Sequence, residues 1–382
     1  MTPLYLDCNA TTPVDPAVVD AMMPWFREQF GNPHSVNHAF GTAAAAAVED
    51  ARRSIARLVG ADTREIIFTS GATESNNLAI KGAARFERRM RGSRNRIITV
   101  ASEHKCVLES VKALAAEGFT TDVLPVGSDG VVETERLARA LGDDVILVSV
   151  MAANNEIGTL QPLADIGAMT RACGALFHCD AAQAAGRVPL DVNAATIDLM
   201  SLSGHKVYGP KGIGVLYVRR RPRARIDPLF SGGGQERTLR SGTVPAPLAI
   251  GLGKAAELAA TRPEEEAARI GTLARTLMDG LPGTSLNGPP LENRLPGNLN
   301  LAIGGVDAGH LISQVPELAF STGSACTSAV VEPSYVLRAI GLTPEQAASS
   351  IRLGIGRFTT SDDITFAIER LNQAINQCRR QA

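Results

Sequence analysis

The sequence predicts an α/β protein, in which helices cover both faces of a mostly parallel β-sheet and a smaller α+β unit follows. Three observations support this prediction. Short apolar runs alternate with segments of helical periodicity between residues 42 and 218. Small polar residues follow most of these runs. Beyond about Lys254 the strand-and-helix alternation stops. Long helical segments are followed by a Pro-, Gly- and Asn-rich stretch over 282–298 and a strand of alternating character over 299–303.

The N-terminal segments set the pattern. Residues 3–16 contain three prolines, which favours an extended arm. Apolar residues recur at helical spacing over 42–59, and Gly60 marks the end of that helix. A short apolar strand follows over 65–69, then a stretch of small and polar residues over 70–77 and a second helical pattern over 78–84.

The same strand-and-helix unit recurs along the chain. Further strands are predicted over 97–100, 145–150, 175–179, 197–200 and 212–218, with helices over 107–114 and 162–173. Five polar side chains stand just past strand ends, namely Thr73, His104, Asn155, Asp180 and Lys206. Because parallel strands end at the same edge of a sheet, we expect these five side chains to converge on one cleft.

Composition narrows the class of protein. The 382 residues carry a net charge of -1 and are 45% hydrophobic, which allows a large core in two or three domains. Near-neutral charge predicts no direct binding to nucleic acid or membranes, and no apolar run approaches the ~20 residues of a membrane span. Without a recognisable export signal, we expect a cytoplasmic protein. Six cysteines without CxxC or zinc-site spacing predict reduced thiols and no metal.

Lys206 closes residues 203–206 (SGHK), directly after a predicted buried strand. An exposed lysine is the common case for this residue type. The alternative is an amine that forms a Schiff base, which requires partial desolvation to lower its pKa. The residues around Lys206 leave both interpretations open.

Residues 70–77 (SGATESNN) form a candidate anion site between a strand and a helix. Backbone N–H groups at a helix start lack partners and attract anions, and Thr73 adds a hydroxyl. An ordinary capped helix is the alternative. The glycine-rich run over 231–236 is weak evidence for a phosphate loop, and the missing GxxxxGK[ST] and GxGxxG motifs argue against a P-loop or dinucleotide fold.

Two side chains in the C-terminal part are candidates for chemistry. Cys326 lies among small residues over 320–328 (FSTGSACTS), a setting typical of an accessible thiolate. A plain loop cysteine is the alternative, and the composition leaves both interpretations open. Arg352 stands between apolar residues and needs a carboxylate partner, either a structural Asp or Glu or a substrate. The arginine-rich run over 219–225 predicts a solvated loop, with a docking patch for an acidic partner or nucleic acid as the alternative.

Six motifs, in this order, resemble the pyridoxal-phosphate (PLP) cysteine desulfurases of the class V aminotransferase family. They occupy residues 71–76 (GATESN), 102–104 (SEH), 178–183 (HCDAAQ), 203–206 (SGHK), 240–243 (RSGT) and 323–328 (GSACTS). The likeness runs from residue 5 to 358, and the longer loop to Cys326 resembles the IscS/NifS-type branch. It implies the type I fold of PLP-dependent transferases. In that fold a mostly parallel seven-stranded sheet forms a large domain (15–253), and a small α+β domain (1–14 and 254–382) carries the catalytic cysteine loop.

The resemblance also implies a role for each motif residue. Lys206 would hold PLP, Asp180 would pair with the pyridine nitrogen and Gln183 would bond the phenolic oxygen. His104 would stack on the ring and act as acid or base. Asn155 would contact cofactor and substrate, and Arg352 the substrate carboxylate. The cofactor phosphate would be bound by Ala72, Thr73, Ser203, His205 and, from the other subunit of a homodimer, Thr243.

The implied reaction removes sulfur from L-cysteine, giving L-alanine and a persulfide on Cys326. A sulfur-acceptor protein in iron–sulfur assembly, tRNA thiolation or DNA phosphorothioation would receive the sulfur. The alternatives are a selenocysteine lyase, a class V aminotransferase and a non-catalytic scaffold; Cys326 discriminates, since transamination has no use for a nucleophilic thiol. Cys8 and Cys106 depart from the family pattern. We interpret both as tolerated small residues, with a second sulfur relay as the alternative.

Overall fold

The computed structural model describes residues 3–90, 92–261, 263–322 and 333–381. Its strands are β1 (Leu4–Tyr5), β2 (Ile66–Thr69), β3 (Arg96–Val100), β4 (Thr120–Leu124), β5 (Val145–Ser149), β6 (Leu176–Asp180), β7 (Leu199–Ser203), β8 (Gly214–Val218), β9 (Thr284–Leu286), β10 (Asn298–Ile303), β11 (Leu318–Ala319), β12 (Ser321–Thr322) and β13 (Ser350–Gly354). Its helices are α1 (Pro16–Met22), α2 (Pro24–Arg27), α3 (Ala39–Val59), α4 (Ala72–Met90), α5 (Lys105–Ala116), α6 (Thr134–Ala140), α7 (Leu163–Ala172), α8 (Ala246–Ala259), α9 (Pro263–Asp279), α10 (Ala308–Gln314), α11 (Tyr335–Ala339), α12 (Pro344–Ala348) and α13 (Ser361–Gln381).

The large sheet has seven strands in the order β2-β8-β7-β6-β5-β3-β4. Strand β8 is antiparallel to both of its neighbours, and the other pairs are parallel. Because β8 runs against both neighbours, β2 runs in the same direction as β7. The carboxyl ends of β2, β3, β5, β6 and β7 therefore lie at one edge. The predicted α/β class and the mostly parallel seven-stranded sheet are confirmed.

Alternating side chains of these strands enter two separate cores. Ile67 and Ile97 face helices α4 and α5, whereas their neighbours Phe68 and Ile98 face helices α3 and α8. The α3–α8 contact is close, because a Cβ on Gly253 would lie 2.5 Å from Ala51 Cα. Both faces of the sheet are covered in this way, which explains why its strands are continuous apolar runs.

A smaller antiparallel sheet, in the order β12-β13-β10-β9, packs with α9, α10 and α13 around a third core. The N-terminal arm joins this unit, since β1 pairs in parallel with β11 and Leu6 is buried in the same core. The predicted boundary between residues 253 and 254 falls inside helix α8. Side chains of α8 on both sides of this boundary lie in the same core as α3. The predicted division of the chain into 15–253 and the remainder stays a prediction.

Three local features differ from the sequence-based expectation. Pro16 begins α1 rather than resisting helix, because the first helical position needs no N–H partner and Asp15 caps the helix. Strand β4 and helix α6 have weak patterns and were not predicted. Arg219 is buried and lies 3.5 Å from Asp198, so the arginine run is solvated only beyond it. Within the described ranges, no helix combines the length and apolar character that a bilayer crossing requires.

Candidate active site

A cavity of about 490 Å³ lies at the carboxyl edge of the large sheet. The five side chains expected to converge there all line it, so the strand-end argument is correct in its geometry. Five other residues with predicted roles also line the cavity, namely Ala72, Gln183, Ser203, His205 and Arg352. Thr243 is exposed and does not line it, and its contact with a partner subunit's phosphate stays a prediction. Cys326 lies outside the described residues.

The turn between β2 and α4 forms one end of the cavity. Gly71 has a φ of 153°, and a Cβ on Gly214 at the start of β8 would lie 2.5 Å from Gly71 Cα. A side chain at position 214 would therefore prevent this contact, which brings β8 against the turn. The start of α4 then presents backbone N–H groups to the cavity, with Lys211 also in the lining. Helix dipole and lysine charge both favour an anion at this end.

His205 lies at the same end and is held by the N-terminal arm. Its Nδ1 is 3.0 Å from Thr11 Oγ1, and its backbone oxygen accepts bonds from the N–H and hydroxyl of Thr12. Burial, helped by Lys206 and Lys211, lowers the pKa of His205 to about 4. The imidazole is therefore neutral at pH 7, so it has one N–H donor and one acceptor nitrogen.

Lys206 ends the 3-10 turn that follows β7, and its side chain is half-buried. Its Nζ donates hydrogen bonds to the backbone oxygens of Asn9 at 2.6 Å and Ala10 at 2.7 Å. These contacts come from the N-terminal arm, nearly 200 residues away in sequence. Lys206 is therefore a held amine at the cavity wall, not the solvated lysine that is the common case.

Asp180 ends β6, and both of its oxygens are fixed. Oδ1 accepts the Ala182 N–H at 3.0 Å, and Oδ2 accepts Asn76 Nδ2–H at 2.7 Å. Gln183 also has both ends of its amide in use, because Nε2 donates to the Asn9 oxygen at 2.9 Å and Oε1 accepts from Arg187 at 3.3 Å. One Gln183 N–H remains for a ligand oxygen.

His104 caps α5. Its Nδ1 accepts the Cys106 backbone N–H at 3.2 Å and lies 3.0 Å from Cys106 Sγ. Because Nδ1 is an acceptor, the neutral ring carries its proton on Nε2. Burial lowers the pKa of His104, an effect that nearby Asp180 opposes. The side chain is thus suited to donate or accept one proton inside the cavity.

The Glu103 side chain, which precedes His104 in the sequence, is fully buried and does not line the cavity. Its Oε1 accepts the Met151 N–H at 2.5 Å. Burial and the charge of Asp180 raise the pKa of Glu103 well above its usual range. Asp180 and Glu74 are the carboxylates that line the cavity, and Glu74 is paired with Arg240.

Arg352 on β13 is 1% exposed and reaches the cavity from the small sheet. Its Nη2 donates to Asp7 Oδ1 and Ser321 Oγ, both at 2.9 Å, and its Nη1 donates to the Asn155 oxygen at 3.3 Å. Among the described residues Nε has no partner. The structural carboxylate foreseen for this arginine is Asp7. Asp7 uses only one arm of the guanidinium, so a second carboxylate can be bound.

Sequence reasoning gave no role to Asn76 and did not place Asn9 or Asp7. A signal for Asn76 exists, since it stands three residues after Thr73 on α4 and therefore faces the same side. Asn9 and Asp7 reach the site through contacts that span 174 to 345 residues, for which no local pattern exists. Of the two unusual cysteines, Cys106 lines the cavity and Cys8 does not.

The donor set fits PLP. A held amine, a fixed carboxylate and a helix N-terminus match the aldehyde, pyridine nitrogen and phosphate of that cofactor. The cavity volume is also within the range of small-molecule sites, roughly 300–1,000 Å³. Within the described part of the chain, no group of three His, Cys, Asp or Glu side chains is placed to hold a metal ion.

Comparisons with known proteins agree with the fold and the site. The aminotransferase class-V family model matches residues 4–366. Cysteine desulfurase IscS of Rickettsia akari (strain Hartford) is 52% identical over 382 residues, covering 99% of this chain and 92% of that protein. The solved structure of a NifS-like protein is 35% identical with a TM-score of 0.91, covering 98% of this chain and 100% of that chain. The structure of SspA in complex with cysteine is 38% identical with a TM-score of 0.83, covering 93% and 99%.

Fold and site thus define a type I transferase of a kind that depends on PLP throughout its family. The chain belongs to the class-V aminotransferase family, in its cysteine desulfurase branch.

Proposed function

We propose that this protein is a PLP-dependent cysteine desulfurase that transfers the sulfur of L-cysteine to the Cys326 thiol. The main support is the single cavity that brings Lys206, Asp180 and His104 together in a chain 52% identical to cysteine desulfurases. L-cysteine and the thiol give L-alanine and a Cys326 persulfide. The substrate C–S bond breaks, an S–S bond forms, and the thiol and substrate protons remain in the products. The substrate carbon is reduced by two electrons, and the Cys326 sulfur and the substrate sulfur are each oxidised by one, so no outside oxidant is needed.

The residues that would hold PLP are divided between the two ends of the cavity. Lys206, Asp180 and Gln183 would hold the ring, with His104 against it. Ala72, Thr73, Ser203 and His205 would bind the phosphate. When bound, PLP supplies an electron sink for negative charge at the substrate Cα.

The protein's own groups would orient the substrate and move its protons. Arg352 and Asn155 would bind the substrate carboxylate, because the guanidinium keeps donors that Asp7 does not use. Lys206 Nζ, held by two backbone oxygens, would take the Cα proton. His104 Nε2 would supply a proton on the side of the substrate from which the sulfur leaves. Burial lowers the pKa of the ring, which favours the neutral form that carries this proton.

A single-turnover experiment with stoichiometric L-cysteine tests this proposal. We expect one equivalent of L-alanine and a mass increase of one sulfur atom on the Cys326 peptide. Cys326→Ser, as the matched variant, should keep the PLP absorption band and form no persulfide. Borohydride treatment should attach the coenzyme to the Lys206 peptide. Full sulfur release by Cys326→Ser, or alanine formed only from a keto-acid acceptor, would instead support the lyase or aminotransferase alternative.

We also propose a homodimer in which Thr243 of one subunit serves the phosphate site of the other. Exposed aromatic residues support a covered surface near the N-terminus, where Phe30 and Phe40 stack at 5.3 Å and are 67% and 51% exposed. Mixing the Lys206→Ala and Thr243→Ala proteins tests this arrangement. If Thr243 acts across the dimer, the mixed dimer has one complete site and regains activity; if it acts within its own subunit, no activity returns.

The sulfur acceptor is proposed to be a protein, and location in the cytoplasm stays a prediction. The exposed arginines beyond Arg219 are candidates for its docking, with the Cys326 segment. Isolation of the persulfidated protein with a bound partner, followed by transfer of labelled sulfur, would identify the acceptor. Charge-reversed variants of Arg220, Arg223 and Arg225 should weaken that transfer without changing persulfide formation.

A further inference from the structure

Asn76 is a fully buried side chain between two polar groups of the cavity. It is 0% exposed, and its Nδ2 donates to Asp180 Oδ2 at 2.7 Å and to Cys106 Sγ at 3.1 Å. These two bonds use both hydrogens of the amide nitrogen. The amide oxygen Oδ1 has no partner among the described residues.

The orientation of this amide follows from Asp180. If the amide were turned over, its carbonyl oxygen would face a carboxylate oxygen at hydrogen-bond distance, and the two would repel. Buried amides normally have partners at both ends, and an exception calls for an explanation. Here the donor end is kept on Asp180 although the acceptor end stays unpartnered. The Ala182 N–H on the other oxygen completes the fixation of this carboxylate.

Asn76 also links Asp180 to the anion end of the cavity. It stands one turn after Thr73 on α4, so both side chains point to the same side of one rigid helix. Through Cys106 the same amide reaches His104, since Cys106 Sγ lies 3.0 Å from His104 Nδ1. Helix α4 therefore sets the position of the phosphate cradle and of Asp180 together.

We propose that Asn76 is a positioning residue that orients Asp180 toward the pyridine nitrogen of PLP, at a distance from the phosphate set by α4. This inference rests on the proposed function only in its choice of PLP as ligand. A buried amide that only fills space would make the same packing contacts with α5. Such a role would not explain why the amide donates to a carboxylate while its own oxygen has no hydrogen-bond partner among the described residues.

Binding of PLP to the apo protein tests the inference without any turnover. We expect Asn76→Ala to raise the PLP dissociation constant about tenfold or more, the range for a lost hydrogen bond to a charged group. Asn76→Asp should raise it further at pH 8, because two carboxylates would then face each other. That added loss should shrink as the pH falls to 6 and the pair shares a proton. Asn76→Ala should show no such recovery.

Asn287→Ala is the matched control, since it removes another buried amide with two side-chain hydrogen bonds, to Asn300 and Ser350. It should lower the thermal midpoint while leaving PLP affinity within about twofold of wild type. With L-cysteine, Asn76→Ala should lower kcat more than it raises KM.

Two results would overturn the role of Asn76. One is PLP affinity within about twofold of wild type in both Asn76 variants. The other is an equal loss of affinity in Asn76→Ala and Asn287→Ala, which would mean a general loss of stability. A wild-type protein that binds PLP but forms no persulfide would contradict the proposed function and leave the Asn76 measurement standing.

Discussion

Replacing Glu236 with Gln should destabilise the fold much more than breaking a surface ion pair. Arg52 and Glu236 form a bidentate pair with distances of 2.7 and 2.9 Å, and their side chains are 5% and 3% exposed. The same carboxylate accepts the Phe68 N–H at 2.7 Å. Glu236 also starts a turn in which residues 236–238 have φ of 44°, 56° and 67°. This strained turn leads to Arg240, which pairs with Glu74 at the cavity.

The size of the effect follows from burial. Removing one partner of a buried pair typically costs about 3–5 kcal/mol, because the remaining charge is left without compensation. Glu49, 46% exposed, also contacts Arg52 at 2.9 Å and stays in the variant. We therefore expect about 3 kcal/mol for Glu236→Gln. Glu292→Gln breaks a pair whose members are 54% and 62% exposed, so it should have little effect on stability.

Urea unfolding of the apo proteins, followed by fluorescence of the single tryptophan and by circular dichroism, measures both costs. Arg52→Met combined with Glu236→Gln should recover much of the loss, because the buried charge is gone and Gln still accepts the Phe68 N–H. Equal destabilisation by Glu236→Gln and Glu292→Gln would refute the reasoning, as would a double variant less stable than Glu236→Gln alone.

Three further predictions concern titration and substrate binding. Burial lowers the pKa of His178 to about 3, so the folded protein keeps it neutral while the unfolded chain binds a proton below about 6.5. The free energy of unfolding should then fall by up to about 4–5 kcal/mol as the pH drops from 6.5 to 3. His178→Gln should make the free energy of unfolding depend less steeply on pH. Equal pH slopes for wild type and His178→Gln would contradict this prediction. Burial raises the pKa of Cys106 to about 12, so iodoacetamide at pH 8 should label it about a thousandfold more slowly than free cysteine, and rapid labelling of the apo cavity would contradict this. Arg352→Lys should raise KM for L-cysteine about tenfold or more while PLP affinity stays unchanged, because an ammonium cannot hold two carboxylates in a fixed plane. An unchanged KM would mean that Arg352 does not bind the substrate.

Much of the site could be predicted because it follows from strand direction. His104, Asn155 and Asp180 each stand after an apolar run, and parallel strands bring such positions to one edge whatever the details of packing. The antiparallel β8 does not disturb this rule, since it restores the direction of β2. By contrast, Arg219 was placed with its solvated neighbours, because a charge run carries no sign that its first member is to be buried against Asp198.

The sequence by itself determined the alternation of strands and helices, the family and the chemical types of residue at the cavity, because periodicity and short motifs are local properties. Only the tertiary structure decided which groups hold those residues. Asp7 meets Arg352 across 345 residues, and Lys206 is held by Asn9 and Ala10 across nearly 200. Such contacts arise when the N-terminal arm packs between the two units, and they depend on the closed fold rather than on any neighbouring residues.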